Sequence, residues 1–323
     1  MEDKERFNID LSLELHSTSD EAVYRDAYIE ARNKWMEVIT GDLPSYPLNS
    51  IPNVADWRGD CTNPLPSSID DLHICVREGY IAIDLLGAAG PLWTRTDPIT
   101  KKVTTVTGDM ELNIYHIKEM INSGKIKEVI LHEMGHILGL GSLWEKKFND
   151  LLDENNDYRV GTKAAGVWSK DWGCVGTPPI EKVGGDGTAF THWDEECLRD
   201  ELMTGYGDDR SISKLTIGSL EDNGYKFNYD AADDFDGSDT SCCTTGAGAA
   251  LSTQNKPTLS DTGREYAVAY GQEILRKHEL PVDVALLQAE YDTGLTYVGD
   301  KIVVVLVIEY GIIFEVFVTN NDE

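Results

Sequence analysis

From Val23 the apolar residues Ala27, Tyr28, Ala31, Trp35 and Val38 recur every three or four positions, which predicts an amphipathic helix ending near Gly41. Thr18 followed by Glu21 provides a capping box at its start. Phe7 to Leu15 reads as a preceding strand, and the Pro-, Asn- and Ser-rich stretch 42–68 as loop. Further strands are expected at Leu72–Val76 and Tyr80–Leu85, a turn at Gly87–Pro91, a hairpin or ordered loop over Thr96–Thr107, and a strand at Met110–Ile114. Ile117–Ile121 predicts a short helix, separated by Ser123-Gly124 from a second one. There Ile126, Val129, Ile130, Ile137 and Leu138 form an apolar surface that would bury the helix. Gly139 supplies the helix-terminating turn, since glycine enters the left-handed region without a Cβ penalty. Residues 145–190 read as a mostly irregular insertion, and Ser213–Asn223 as a helix closed by Gly224.

Composition changes near residue 232. An acidic and then small-residue stretch, 233–262, reads as a linker, and 263–323 as a small C-terminal αβ module with a helix at Arg264–His278 and strands at Ile302–Ile308 and Ile312–Val318. The 28 basic and 57 acidic residues give a net charge of −29, which argues against nucleic acid or an anionic membrane as partner. No stretch reads as a membrane span: the most apolar, Ile302–Val318, is broken by Glu309, Gly311 and Glu315. Six cysteines permit three bridges, with Cys61–Cys75 and Cys174–Cys197 as the local pairs expected.

Within the second helix lies His132-Glu133-Met134-Gly135-His136. Side chains four apart share one face of a helix, so the two imidazoles can hold one metal ion, with Glu133 beside them as general base. In so apolar a helix two neutral histidines without partners would be costly. Catalytic zinc takes three protein ligands and leaves one position open. Ser142, three residues beyond Gly139, is a poor ligand, so the third must come from farther along. His192, after the glycines at 184, 185 and 187, is the candidate among seven histidines. Glu145 and Glu154 are carboxylate rivals, against which the turn at Gly139 argues. Asp153, Asn155 and Asp157 alternate like calcium ligands, but Tyr158 stands where the turn glycine of an EF-hand would be, so calcium has no firm support.

H-E-M-G-H-I-L-G together with a distant T-H-W and E-L-M-T resembles the leishmanolysin family of zinc endopeptidases. F-N-I-D-L, I-T-G-D-L-P, I-D-D-L, L-G-A-A-G-P and L-T-I-G-S-L-E-D-N-G-Y extend the likeness over about residues 7–232. The resemblance implies an α+β metzincin-like peptidase domain over 1–232, with a mixed twisted sheet and an active-site helix. It implies His132, His136 and His192 as ligands of one catalytic Zn²⁺, Glu133 as the catalytic base, and Met203 as a structural methionine turn beneath the metal. It further implies that the strand just before the metal helix forms the sheet edge and holds the substrate, that protein or peptide substrates are cleaved, and that Tyr206 is a weaker candidate near the metal. The front of the sequence shows neither a signal peptide nor a pro-segment with a blocking cysteine. On family grounds a secreted protein, with its leader absent from this chain, is expected. The rival reading is a catalytically silent, zinc-containing adhesion or binding protein, against which an intact Glu133 argues.

Overall fold

The protein is described by a computed structural model over residues 6–15, 21–48, 67–79, 81, 85–184, 187–205, 210–239 and 242–243, and over four strands between 288 and 320. It divides into two compact units, Met1–Val183 with Gly187–Ala250, and Gly184–Asp186 with Leu251–Glu323.

In the first unit β1 (Ile9–Glu14), α1 (Glu21–Val38), β2 (Tyr46–Pro47), β3 (Ser68–Ile69), β4 (Leu72–Gly79), β5 (Gly87–Thr96) and β6 (Val103–Asn113) precede the helices α2 (Ile117–Ser123) and α3 (Ile126–Ile137). Four strands form a mixed sheet in the order β1-β4-β6-β5. β1 and β6 both run parallel to β4, with Ile9 opposite Leu72 and His73 opposite Thr107, and β5 closes one edge antiparallel to β6. β4 is an internal strand, which is why Leu72, His73, Ile74, Cys75 and Val76 are all buried, on both faces.

α3 packs against both this sheet and α1. Trp35 Nε1–H of α1 donates to the Leu131 carbonyl at 3.0 Å. On the other side Gly108 of β6 lies under Ile137, where an added Cβ would come within 2.5 Å of Ile137 Cγ2. The bare backbone at 108 lets the helix end press onto the sheet.

Several sequence expectations are corrected here. Gly87–Pro91 is the start of β5 and not a turn. On an edge strand proline's missing N–H deprives no partner, and the ladder slips at Pro91/Trp93 to accommodate it. The strand expected at Met110 begins at Val103, and Asp97–Lys102 turns the chain between β5 and β6. The strand directly before the metal helix, β6, is therefore internal, and the edge strand beside it is β5. The strand expected at Tyr80–Leu85 falls largely outside the described residues, and Ile81 and Leu85 themselves are not in a strand.

The insertion after α3 has order that periodicity did not reveal. α4 (Lys163–Gly166) runs into one π-turn, Val167–Asp171. The Asp222 carboxylate accepts the Lys163 and Ala164 N–H groups at 2.7 and 3.0 Å and so fixes the start of α4. Trp144, Tyr158 and Trp193 pack with ring centroids 4.7–5.3 Å apart and join the insertion to the core. α5 (Glu195–Leu198) and α6 (Lys214–Asn223) follow, α6 capped by Ser213 and closed by Gly224 at φ +104°.

Residues 233–239 and 242–243, within the stretch read on composition as a linker, make specific contacts in the first unit. Asp233 accepts the Ile212 N–H and Lys34 Nζ, and Phe235 packs on Trp172. The expected Cys174–Cys197 pair is corrected: the bonds are Cys174–Cys243 and Cys197–Cys242. Two adjacent cysteines thus clamp the loop after the π-turn and α5, an arrangement that sequence proximity does not suggest. Cys75 is also disulfide-bonded, and Cys61, its expected partner, lies outside the described residues.

In the second unit β7 (Gln288–Ala289), β8 (Gly294–Val298), β9 (Ile302–Glu309) and β10 (Ile312–Asn320) form an antiparallel sheet in the order β10-β9-β8-β7. β9 and β10 contain the two expected strands. The helix expected at Arg264–His278 lies outside the described residues.

Peptide mapping without reduction is expected to recover Cys242-Cys243 bonded to both Cys174 and Cys197; a Cys174–Cys197 peptide would overturn this connectivity. Replacing both Cys242 and Cys243 by serine should lower unfolding stability by about 2–5 kcal/mol in denaturant titration.

Candidate metal centre

The site begins with the way α3 ends. The helix caps at Leu138, and Gly139, at φ +105°, reverses the chain so that the Leu140 carbonyl faces back towards His136. Gly141 follows at φ +74°, and a Cβ there would lie 1.9 Å from the Thr191 carbonyl oxygen. Only a bare backbone allows that approach, and it brings the loop carrying His192 against the helix exit. His192 is held on both sides: its carbonyl accepts the Glu181 N–H at 3.0 Å, and the next residue, Trp193, donates its N–H to the Met203 carbonyl at 2.9 Å.

The result is a convergence of His132, His136 and His192, all buried. Their Nε2 atoms lie 3.0–3.2 Å from one another. These are not hydrogen bonds, because each ring has its proton on the other nitrogen. His132 Nδ1–H donates to the Leu202 carbonyl at 2.7 Å, His136 Nδ1–H to Leu140 at 2.9 Å, and His192 Nδ1–H to Thr188 at 3.0 Å. A carbonyl can only accept, so the tautomers are fixed and three lone pairs face a common point. Burial pulls the pKa of all three rings down, His136 to about 4, which keeps them neutral.

Three lone pairs at this separation repel unless a cation lies among them. Zinc–nitrogen bonds of about 2.0–2.1 Å place the nitrogens of a tetrahedral site about 3.3 Å apart, close to the spacing found. The residues present therefore fit a zinc ion, and carbonyl-anchored imidazoles are the usual support for one.

Glu133 is also buried, and burial pushes its carboxyl pKa up to about 7, opposed by Arg210. β5 starts directly against it: a Cβ on Gly87 would stand 2.9 Å from Glu133 Oε1. Met203 is fully buried beneath the helix, where a Cβ on Gly135 would come within 2.6 Å of its sulfur. The glycine between the two motif histidines thus makes room for the methionine.

Glu145 and Glu154, the carboxylate rivals, are exposed and belong to no metal-capable cluster among the described residues. Asp153 Oδ1 accepts the N–H groups of Asn155 and Asp157, and Lys182 pairs with Asp157 at 2.6 Å, so this loop is occupied with its own turn. Tyr206 lies outside the described residues. The carbonyls of Leu140, Thr188 and Leu202 went unforeseen, since main-chain groups leave no mark in a sequence. Arg210, partly buried and close enough to influence Glu133, was also missed. So was Glu201, although it stands in the E-L-M-T stretch.

A family profile described as Leishmanolysin matches residues 91–254, just over half of the chain. The chain is similar to a leishmanolysin-like peptidase of Caenorhabditis briggsae, 42% identical over 57 residues, which is 17% of this chain and 9% of that protein. It is likewise similar to a leishmanolysin-like peptidase of Drosophila melanogaster, 42% identical over 55 residues, 16% of this chain and 8% of that one. The matched segment thus spans less than a tenth of either relative.

The close approach at Gly141 predicts that Gly141→Ala destabilises the protein by more than about 2 kcal/mol in denaturant titration. Gly166, with nothing within 4 Å of an added Cβ, is the control. Gly166→Ala should be neutral or stabilising by up to about 1 kcal/mol.

Proposed function

Because the chain belongs to the leishmanolysin family, we propose that it is a zinc-dependent endopeptidase that hydrolyses peptide bonds in proteins. The observation that carries this reading is the convergence of three tautomer-fixed imidazoles beside a buried carboxyl group.

His132, His136 and His192 would hold Zn²⁺ through their Nε2 atoms. When bound, zinc supplies Lewis acidity, polarising a carbonyl and acidifying water. Glu133 is the general base: its carboxylate takes a proton from water and delivers it to the departing amine. A carboxyl group with a pKa of about 7 is suited to both halves of that transfer near neutral pH. Arg210 favours the ionised form of Glu133 and so keeps the base competent. Met203 touches none of the reacting atoms; its sulfur packs against Gly135 and sets the floor on which both motif histidines stand.

β5 is the strand that receives the substrate. It forms one edge of the sheet, and its first residue, Gly87, lies against Glu133. An extended peptide added there would be held by backbone hydrogen bonds, which ask for no particular side chains. The domain so constituted is metzincin-like, with Gly139 as the turn that releases the chain from the active-site helix. Among the described residues no helix is long and apolar enough to cross a membrane. The disulfides Cys174–Cys243 and Cys197–Cys242 suit an oxidising setting, which supports a secreted or extracellular protein.

Casein cleavage by the purified protein should be abolished by a chelator and restored by Zn²⁺; cleavage indifferent to chelation would overturn the reading. Glu133→Gln should bind zinc as the parent does while turnover falls on the order of 10²–10⁴-fold. A variant with parental turnover would remove Glu133 from the mechanism.

A further inference from the structure

We propose that Glu201 is a positioning residue of the metal centre, acting on His132 through the Leu202–Met203 peptide group. The proposal rests on the zinc reading above. Glu201 is fully buried, at 0% exposure. Its Oε2 accepts the Met203 N–H at 2.6 Å. That N–H and the Leu202 carbonyl belong to one planar amide, and the carbonyl accepts His132 Nδ1–H at 2.7 Å. Tethering one end of a planar unit fixes the direction of the other. The carboxylate therefore sets the direction in which the His132 ring is held.

The other oxygen anchors the carboxylate itself. Oε1 accepts Ser213 Oγ–H at 2.7 Å and the Ser213 N–H at 3.3 Å, at the cap of α6, and the Thr216 side chain bonds to the carboxylate as well. Burial pushes the Glu201 pKa up and these donors oppose it. A neutral side chain could close the same turn without the cost of a buried charge. The charge gains a purpose from what lies beyond the amide. Hydrogen bonds in series polarise one another, so a carboxylate at one end strengthens the carbonyl as acceptor and His132 Nε2 as donor to a cation. The arrangement corresponds to a carboxylate–histidine–metal series with one peptide unit interposed.

His132 is singled out among the three. The Leu140 carbonyl that takes His136 also accepts the Ser142 N–H, and the Thr188 carbonyl that takes His192 also accepts Thr191 Oγ–H. Among the described residues no carboxylate binds the Gly141 or Ala189 N–H on the far side of those two amides. The His132 contact is also the shortest of the three.

The test compares the parent, Glu201→Gln and Asp222→Asn in zinc competition against a chelator and in the visible spectrum of the cobalt-loaded proteins. Glutamine keeps an oxygen for the Met203 N–H and removes the charge. Asp222 is a buried carboxylate that binds the first N–H groups of α4 and makes no bond to Glu201 or to a histidine of the centre. Glu201→Gln should bind zinc about tenfold or more weakly, with shifted cobalt bands. Asp222→Asn should lose thermal stability yet keep the parent's affinity and bands. Parental affinity and spectrum in Glu201→Gln would overturn the proposal, as would equal weakening in Asp222→Asn. Should Glu201→Gln fail to fold, the ring-proton shifts of the zinc-loaded parent decide: the His132 Nδ1–H must resonate downfield of those of His136 and His192, and any other order overturns the proposal. A parent that binds no zinc would sink the metal reading first, and so separates that failure from this one.

Discussion

Three uncharged imidazoles with their lone pairs 3.0–3.2 Å apart form an arrangement that a protein interior does not tolerate for nothing. Each ring is turned inwards by a main-chain carbonyl, and the three carbonyls come from widely separated places: the turn after α3, the loop before His192, and the methionine turn. Main-chain acceptors hold their direction only if the backbone around them is rigid. The fold around the centre is therefore largely a device for fixing three peptide planes.

That requirement accounts for local features with no evident chemistry of their own. Gly139 and Gly141 have left-handed backbones so that one short turn can both present the Leu140 carbonyl and admit the Thr191 backbone. Trp193, next to the third histidine, is bonded through its N–H to the Met203 carbonyl and through its indole to Thr216 of α6. Gly135 is bare because the Met203 sulfur occupies the space its Cβ would need. Ligand loop, methionine turn and α6 thereby form one packed body behind the helix.

The local half of this organisation was legible in the sequence. The four-residue spacing of His132 and His136 fixes them on one face whatever surrounds the helix, and Gly139 marks its end. The periodicity of α1 and the caps of α6 are equally local. What escaped depends on pairing between distant segments. Gly87–Pro91 reads as a turn because its residues are small and include a proline, and only the position of β5 at a sheet edge makes them a strand. The cysteines were paired by proximity along the chain, whereas the fold pairs them by proximity in space. The sequence offered His192 as third ligand but could not exclude Glu145 or Glu154. The backbone approach at Gly141 brings the loop of His192 to the helix exit, and nothing in residue type announces it.

The vicinal cysteines have a further consequence. Cys242 and Cys243 tie the segment beyond α6 back to positions 197 and 174. A single backbone nick between residues 197 and 242 leaves the two pieces covalently joined, with all three imidazoles on the longer one. The protein would in this way survive internal scission there without shedding its carboxyl-terminal portion, and only a reductant would let the pieces part.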